Sequence, residues 1–272
     1  MFTAGMLDVF LMEGIIFNYV IGVSAGAAYG VSYVSGQYER NLKVNAYVSD
    51  KRYCGLKHLL HTGNFFNWDF IYKEIPEKLI PFDYKGFSSS AARMRVVVTN
   101  TRTGRPFYAD LDGSSPEKFR DLLAATSSLP FVSRMKQLEG EFYMDGGIAD
   151  PIPVHQAFAD GKKRVVVILT RDLNYRKKDS GRSVTRLYYR NYPALLQTME
   201  RRTKAYNQTL EELTGMEKEG RAFVIRPSRP IEVSRLENNP DRLRGVYDNA
   251  VREAQPLIPA LRKWLSDPKI QG

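Results

Sequence analysis

Apolar residues recur first at helical spacing and then at strand spacing along the opening of this chain. In "AGMLDVFLME", residues 4–13, Leu7, Phe10 and Leu11 fall on one helical face, and Gly14 supplies a C-terminal stop. A helix is predicted. "FNYVIGV", 17–23, is a short β-branched and aromatic run that predicts a strand. The small residues of "AGAAYGVSYVSG" behind it predict a helix packed closely on a sheet. Residues 37–92 mix short helical pieces with aromatic-rich loops, and the pattern assigns no definite elements there.

Alternation resumes in "RMRVVVTNTRTGRPFYAD", which predicts a strand over Met94–Asn100, a turn at Thr103 and Gly104, and a returning strand through Phe107 and Tyr108. "SPEKFRDLLAATS" reads as a helix with Ser115 at the N-cap, Pro116 in the first helical position and Glu117 in the first turn. "EFYMDGG" predicts a short strand ending in a glycine turn, and "RVVVILT", 164–170, a buried strand. The polar stretch "RDLNYRKKDSGR" is the best candidate for a boundary or a long surface loop. Beyond it a stripe of Leu195, Met199, Tyr206, Leu210 and Leu213 predicts a core-facing helix over 193–219. A strand in "RAFVIRPS" and a helix over 241–265 close the chain. Strands alternating with helices indicate a layered α/β fold, with 1–272 read as one domain: a core to about residue 170 and an extension of it afterwards.

Composition narrows the class. Apolar residues at 43% and charged residues at 26% match ordinary globular domains and exclude disorder. A formal charge of +10 favours polyanions such as lipid headgroups or nucleic acid. Cys54 is the only cysteine, so no intrachain disulfide can form. Acidic Asp8 and Glu13 interrupt the N-terminal apolar stretch, which argues against a signal peptide, and no apolar run is long enough to span a bilayer. The expectation is a soluble, cytoplasmic protein with at most peripheral membrane contact.

Residues 22–26, "GVSAG", fit G-x-S-x-G. Three fixed positions are weak evidence; a strand running in and a helix running out strengthen them, because a nucleophile elbow needs both. Gly22 and Gly26 would relieve crowding in the sharp turn, Ser24 would be pushed out as nucleophile, and the positive end of the helix starting at Ala25 would favour an oxyanion. A serine also needs a base. His58 and His61 in "LKHLLHTG" share a helix face but lack a third metal ligand, so they read as surface histidines. His155 follows Ser24 and Asp145 in the chain order of α/β-hydrolase triads, yet it falls in the first turns of a helix only ten residues after Asp145. Asp145 in "YMDGG" is the remaining candidate. Gly146 and Gly147 let backbone approach its carboxylate, which could then take the Ser24 proton without histidine.

"GVSAGA", "AATSSLPFV" and "DGGIADPIPV" together resemble the patatin-like phospholipases, in particular a bacterial cytoplasmic branch, and the likeness extends over the whole chain. The resemblance implies a three-layer α/β/α fold with a mostly parallel central sheet and a helical C-terminal extension. It also implies acyl-ester hydrolysis on lipids by a Ser24–Asp145 dyad through an acyl-enzyme, with no metal or cofactor. The family carries a glycine-rich oxyanion loop just before the segment that "FTAGMLDVF" matches, so Met1 is expected to be an internal methionine of a longer chain. Without that loop the oxyanion donor left is chiefly the Ala25 N–H, and each lost donor costs about 10²- to 10³-fold in rate.

The leading expectation is therefore a phospholipase A or lysophospholipase, with Phe65, Phe66, Trp68, Phe70 and Phe131 available to line an acyl site or simply to fill the core. A carboxylesterase on small esters and a non-catalytic lipid-binding protein are the alternatives. "RKKDSGR" and "MERRTKAY" raise nucleic-acid binding, but clusters this short are ordinarily solvated surface, and Glu200, Glu211 and Glu212 dilute the second.

Overall fold

The computed structural model describes residues 1–178 and 182–267. Helix α1 (Phe2–Met12) leads into β1 (Tyr19–Val23) and α2 (Ala25–Val34), as the opening pattern predicts. The unassigned region holds α3 (Arg40–Asn45), α4 (Leu56–Thr62), a π-helical segment over Phe70–Leu79 and α5 (Tyr84–Ser89). Strands β2 (Arg93–Asn100) and β3 (Pro106–Asp110) form the expected hairpin. Helix α6 (Pro116–Thr126) follows, with Ser115 at its N-cap but without a side-chain capping bond. Next come β4 (Lys136–Leu138), β5 (Glu141–Asp145), α7 (Val154–Ala159) and β6 (Val165–Ile168). The last third comprises α8 (Arg182–Tyr188), α9 (Pro193–Lys218), β7 (Ala222–Ile225), α10 (Pro240–Ala254) and α11 (Ile258–Ser266). One helix was expected over 241–265. Two form instead, because Pro256 and Pro259 remove amide donors and a 3₁₀ turn over Gln255–Leu257 takes up the break.

The register around β2 builds the centre of the molecule. β1 runs parallel to β2, with Val23 opposite Val97, whereas β5 runs antiparallel to it, with Asp145 opposite Val98. β3 pairs with residues of β2 that both of these strands also pair with, so β1 and β5 must share the other edge of β2. They meet there end to end. Tyr143 and Met144, adjacent on β5, point to opposite faces: Tyr143 joins Val98 and Ala125 of α6, and Met144 joins Leu195 of α9. The sheet is therefore sandwiched between helices, in three layers.

β6 and β7 pair in parallel as a separate two-stranded sheet. Between β6 and β1 lies a cavity of about 850 Å³, lined by both strands and by side chains such as Phe10, Phe17, Tyr33 and Trp264. That explains one departure from expectation. The apolar run 164–170 predicts a buried strand, but all four residues of β6 are only partly buried, because one edge faces this cavity.

The two ends of the chain are joined through α1 and α10. Asp8, buried in α1 at 2% exposure, accepts a 2.7 Å hydrogen bond from the Tyr247 hydroxyl of α10. Burial pushes the Asp8 carboxyl up and the Tyr247 bond pulls it back. Tyr247→Phe removes that donor and should destabilise the fold by about 1–3 kcal/mol. Urea unfolding at neutral pH measures it, and the loss should shrink in acid, where a protonated Asp8 no longer carries a buried charge.

Candidate active site

Ser24 stands where β1 becomes α2, with φ 53° and ψ −125°. A side chain at positive φ is strained by roughly 1–3 kcal/mol, and such strain persists only where the surroundings impose it. Here they do. A Cβ at Gly22 would lie 2.5 Å from the Ala27 Cα, so strand and helix touch backbone to backbone. The Ser24 N–H donates to Thr126 Oγ1 at 2.9 Å, and that hydroxyl donates in turn to the Val97 carbonyl at 2.6 Å. Thr126 thus fastens the turn to the notch between β1 and β5. Gly26 departs from the crowding expected of it: a Cβ there would meet nothing within 4 Å, and the residue borders the cavity instead.

Asp145 enters the same notch from the other side. It ends β5, is 3% exposed, and its Oδ1 accepts the Gly147 N–H at 2.7 Å. Its own N–H donates to the Ser128 carbonyl at 2.9 Å, and its carbonyl accepts from Thr99 Oγ1 at 2.8 Å. A Cβ at Gly146 would sit 2.1 Å from the Val97 carbonyl oxygen, so only glycine allows the chain to turn there. Burial pushes the Asp145 carboxyl above the usual carboxylate range; hydrogen bonds from the Ser24 side chain and the Gly147 amide, with the charges of Arg202 and Arg235, oppose that rise. The Ser24 side chain bears on the Asp145 carboxyl, so the two residues singled out in the sequence face the same notch.

The histidines lie elsewhere. His155 Nε2 meets Glu212 Oε2 of α9 at 2.7 Å on the surface, and His58 Nε2 contacts the Lys51 carbonyl at 2.9 Å. Among the described residues no group of three or more His, Cys, Asp or Glu is placed to hold a metal. Of the aromatics, Phe70 is buried core, whereas Phe65, Phe66, Trp68 and Tyr72 form a chain of ring contacts. Tyr72 reaches Ser127, next to Thr126, at 3.1 Å.

Sequence reasoning missed the cations beside Asp145. Arg202 of "MERRTKAY" turns inward, and a Cβ at Gly147 would lie 3.5 Å from its Nη2. Lys177 of "RKKDSGR" is tied to α9 by Asn207, which accepts its N–H at 2.9 Å and donates to its carbonyl at 3.1 Å. The rest of that second cluster, 179–181, lies outside the described residues. Burial, then the charges of Arg202, Arg235 and Arg171, bring the Lys177 amine down to about 8.

Two family models match parts of the chain. A family model described as Patatin-like phospholipase matches residues 1–158, and one described as a domain of unknown function (DUF6363) matches residues 192–266. The Escherichia coli (strain K12) protein described as "Uncharacterized protein YjjU" is 30% identical over 183 residues, which are 62% of this chain and 48% of that protein. The chain thus spans about half the length of the curated relative it matches.

Proposed function

Because the chain belongs to the patatin-like phospholipase family, we propose that it is a lipid acyl hydrolase, of phospholipase A or lysophospholipase type, with Ser24 as nucleophile and Asp145 as general base. The observation that carries this reading is the meeting, at one notch of the sheet, of a serine on a strained turn and a buried carboxylate of raised proton affinity on which its side chain bears. Asp145 takes the Oγ proton as Oγ attacks the ester carbonyl carbon. The negative charge that develops on the carbonyl oxygen is met by the Ala25 N–H and the positive end of α2, since the first amides of a helix have no acceptor within it. Collapse expels the alcohol, which leaves with the proton held by Asp145. Water then attacks the acyl-enzyme, gives its proton to Asp145, and Oγ recovers that proton as the fatty acid departs.

A fluorophosphonate probe tests this directly. Its adduct should map to Ser24 by mass spectrometry, disappear in Asp145→Ala and survive His155→Ala; an adduct elsewhere, or none, overturns the dyad. Faster turnover of phospholipid vesicles than of short soluble esters separates a phospholipase from a carboxylesterase.

The lipid would be met by a rim of exposed apolar side chains. Leu60 on α4 is 81% exposed, Leu187 on α8 70%, and Phe131 42%. Phe131 packs against Tyr188 of α8, and the Phe65 amide, just beyond α4, binds the Val132 carbonyl at 2.7 Å, which links the three pieces. Leu60→Asp combined with Leu187→Asp should weaken co-sedimentation with anionic vesicles roughly 10-fold. High salt should weaken it further, since the charge of +10 contributes.

A further inference from the structure

The cations beside Asp145 are not explained by the dyad. The charges of Arg202, Arg235 and Arg171 bear on Lys177, and that of Arg235 bears on Arg202; among the described residues the charges acting on Lys177 are of its own sign. Their scaffold is a pair of tyrosines in edge contact, Tyr175 and Tyr206, 6.1 Å apart. Arg171 lies over the Tyr175 ring at 4.9 Å and Lys177 over the Tyr206 ring at 5.7 Å. Arg202, one helical turn before Tyr206 on α9, buries its Nε with no hydrogen-bond partner among the described residues. Among the described residues Asp145 is the carboxylate whose charge bears on Arg202, and one buried acid whose ionised form is itself disfavoured cannot neutralise four cations. Like charges held together around an unpartnered donor are costly unless an anion joins them.

We propose that Lys177, Arg202 and Arg235 form a subsite for the phosphate of a phospholipid headgroup, so that the enzyme acts on anionic glycerophospholipids in preference to neutral acyl esters. This assignment rests on the hydrolase reading for its place in catalysis. The geometry suits it. Guanidinium groups present paired donors that match phosphate oxygens, and an ammonium beside them adds a compact charge. Phosphate and ester hang from neighbouring glycerol carbons, so a phosphate held beside Gly147 sets the ester near Ser24. Arg202 serves both ends, since its Nη2 packs at Gly147 and its charge acts on Asp145.

Equilibrium binding tests the subsite without relying on turnover. In a Ser24→Ala background, calorimetry compares short-chain dihexanoyl phosphatidic acid, dihexanoylglycerol and inorganic phosphate. Arg202 is left in place because its loss would also perturb Asp145. Lys177→Gln with Arg235→Gln should weaken phosphatidic acid binding about 10-fold or more. The same variant should leave dihexanoylglycerol binding unaltered, and Lys218→Gln with Lys263→Gln, of equal charge change, should alter neither. Equal phosphatidic acid affinity in the variant and its parent overturns the subsite. Inorganic phosphate that binds as tightly as phosphatidic acid overturns the assignment to a lipid headgroup. Fluorophosphonate labelling of Ser24, run separately, reports on the hydrolase reading alone.

Discussion

Replacing Ser24 with alanine should lower ester turnover by about 10⁴-fold or more, since no acyl-enzyme can form and the remaining groups act only by binding and polarisation. The fold should persist. Alanine keeps a Cβ at φ 53° and keeps the amide that donates to Thr126, so neither the strain nor its anchor changes. Ser24→Gly provides the contrast: it should be equally inactive, yet more stable than Ser24→Ala by about 1 kcal/mol, because glycine adopts this backbone without steric cost. Initial rates on a chromogenic ester and urea midpoints of both variants check the pair. An active Ser24→Ala would remove Ser24 from the chemistry; equal midpoints would remove the strain argument.

Asp145→Asn should lower turnover by about 10³-fold, the size expected when a positioned general base is lost. Asparagine can still accept the Gly147 amide, so the turn should survive. The pH dependence follows from the direction of the shift. Burial raises the Asp145 carboxyl above its ordinary value, so in the wild type kcat/KM should fall away on the acid side at a pH above the usual carboxylate range. For stability the sign is reversed. A folded-state pKa above the unfolded one gives a contribution that is complete below the unfolded value and lost as pH rises through the folded one. At neutral pH the buried charge therefore costs stability. Asp145→Asn, neutral throughout, should melt at or above the wild-type temperature near pH 7, and the difference should vanish in acid. Thermal melts across that range would contradict this if the variant were less stable at pH 7.

The elbow was legible in the sequence because its signals are local. A strand period gives way to small helical residues within a few positions, and Gly22 must be glycine for a reason confined to residues 22–27. Asp145 was legible in the same way, as an acid followed by two glycines at a strand end. Their pairing was expected from chemistry and from the family resemblance, but the geometry that brings them together was not legible. It depends on β1 and β5 abutting along one edge of β2, a register that no single segment encodes. Thr126 is a related case: it lies in a stretch picked out for its resemblance, but its bond to the Ser24 amide spans 102 positions. Arg202 and Lys177 were hidden for a different reason. Short basic runs look alike whether solvated or turned inward, and only the packing of α9 distinguishes them.

The cavity between β1 and β6 also has a consequence for how the molecule breathes. Ile152, Val154, Leu169, Leu210, Leu213 and Met216 form an apolar cluster of their own around the β6–β7 pair, apart from the one that surrounds α1 and α2. Cooperative opening units tend to follow such divisions, and their margins exchange amide hydrogens sooner than their centres. β2, flanked on both edges, should hold its amide protons longest, and β1 and β6, which face the gap, should release theirs earlier. The serine thus sits at the end of a strand on the looser margin, while its carboxylate partner ends β5, which is paired to the slowest-exchanging strand of the fold.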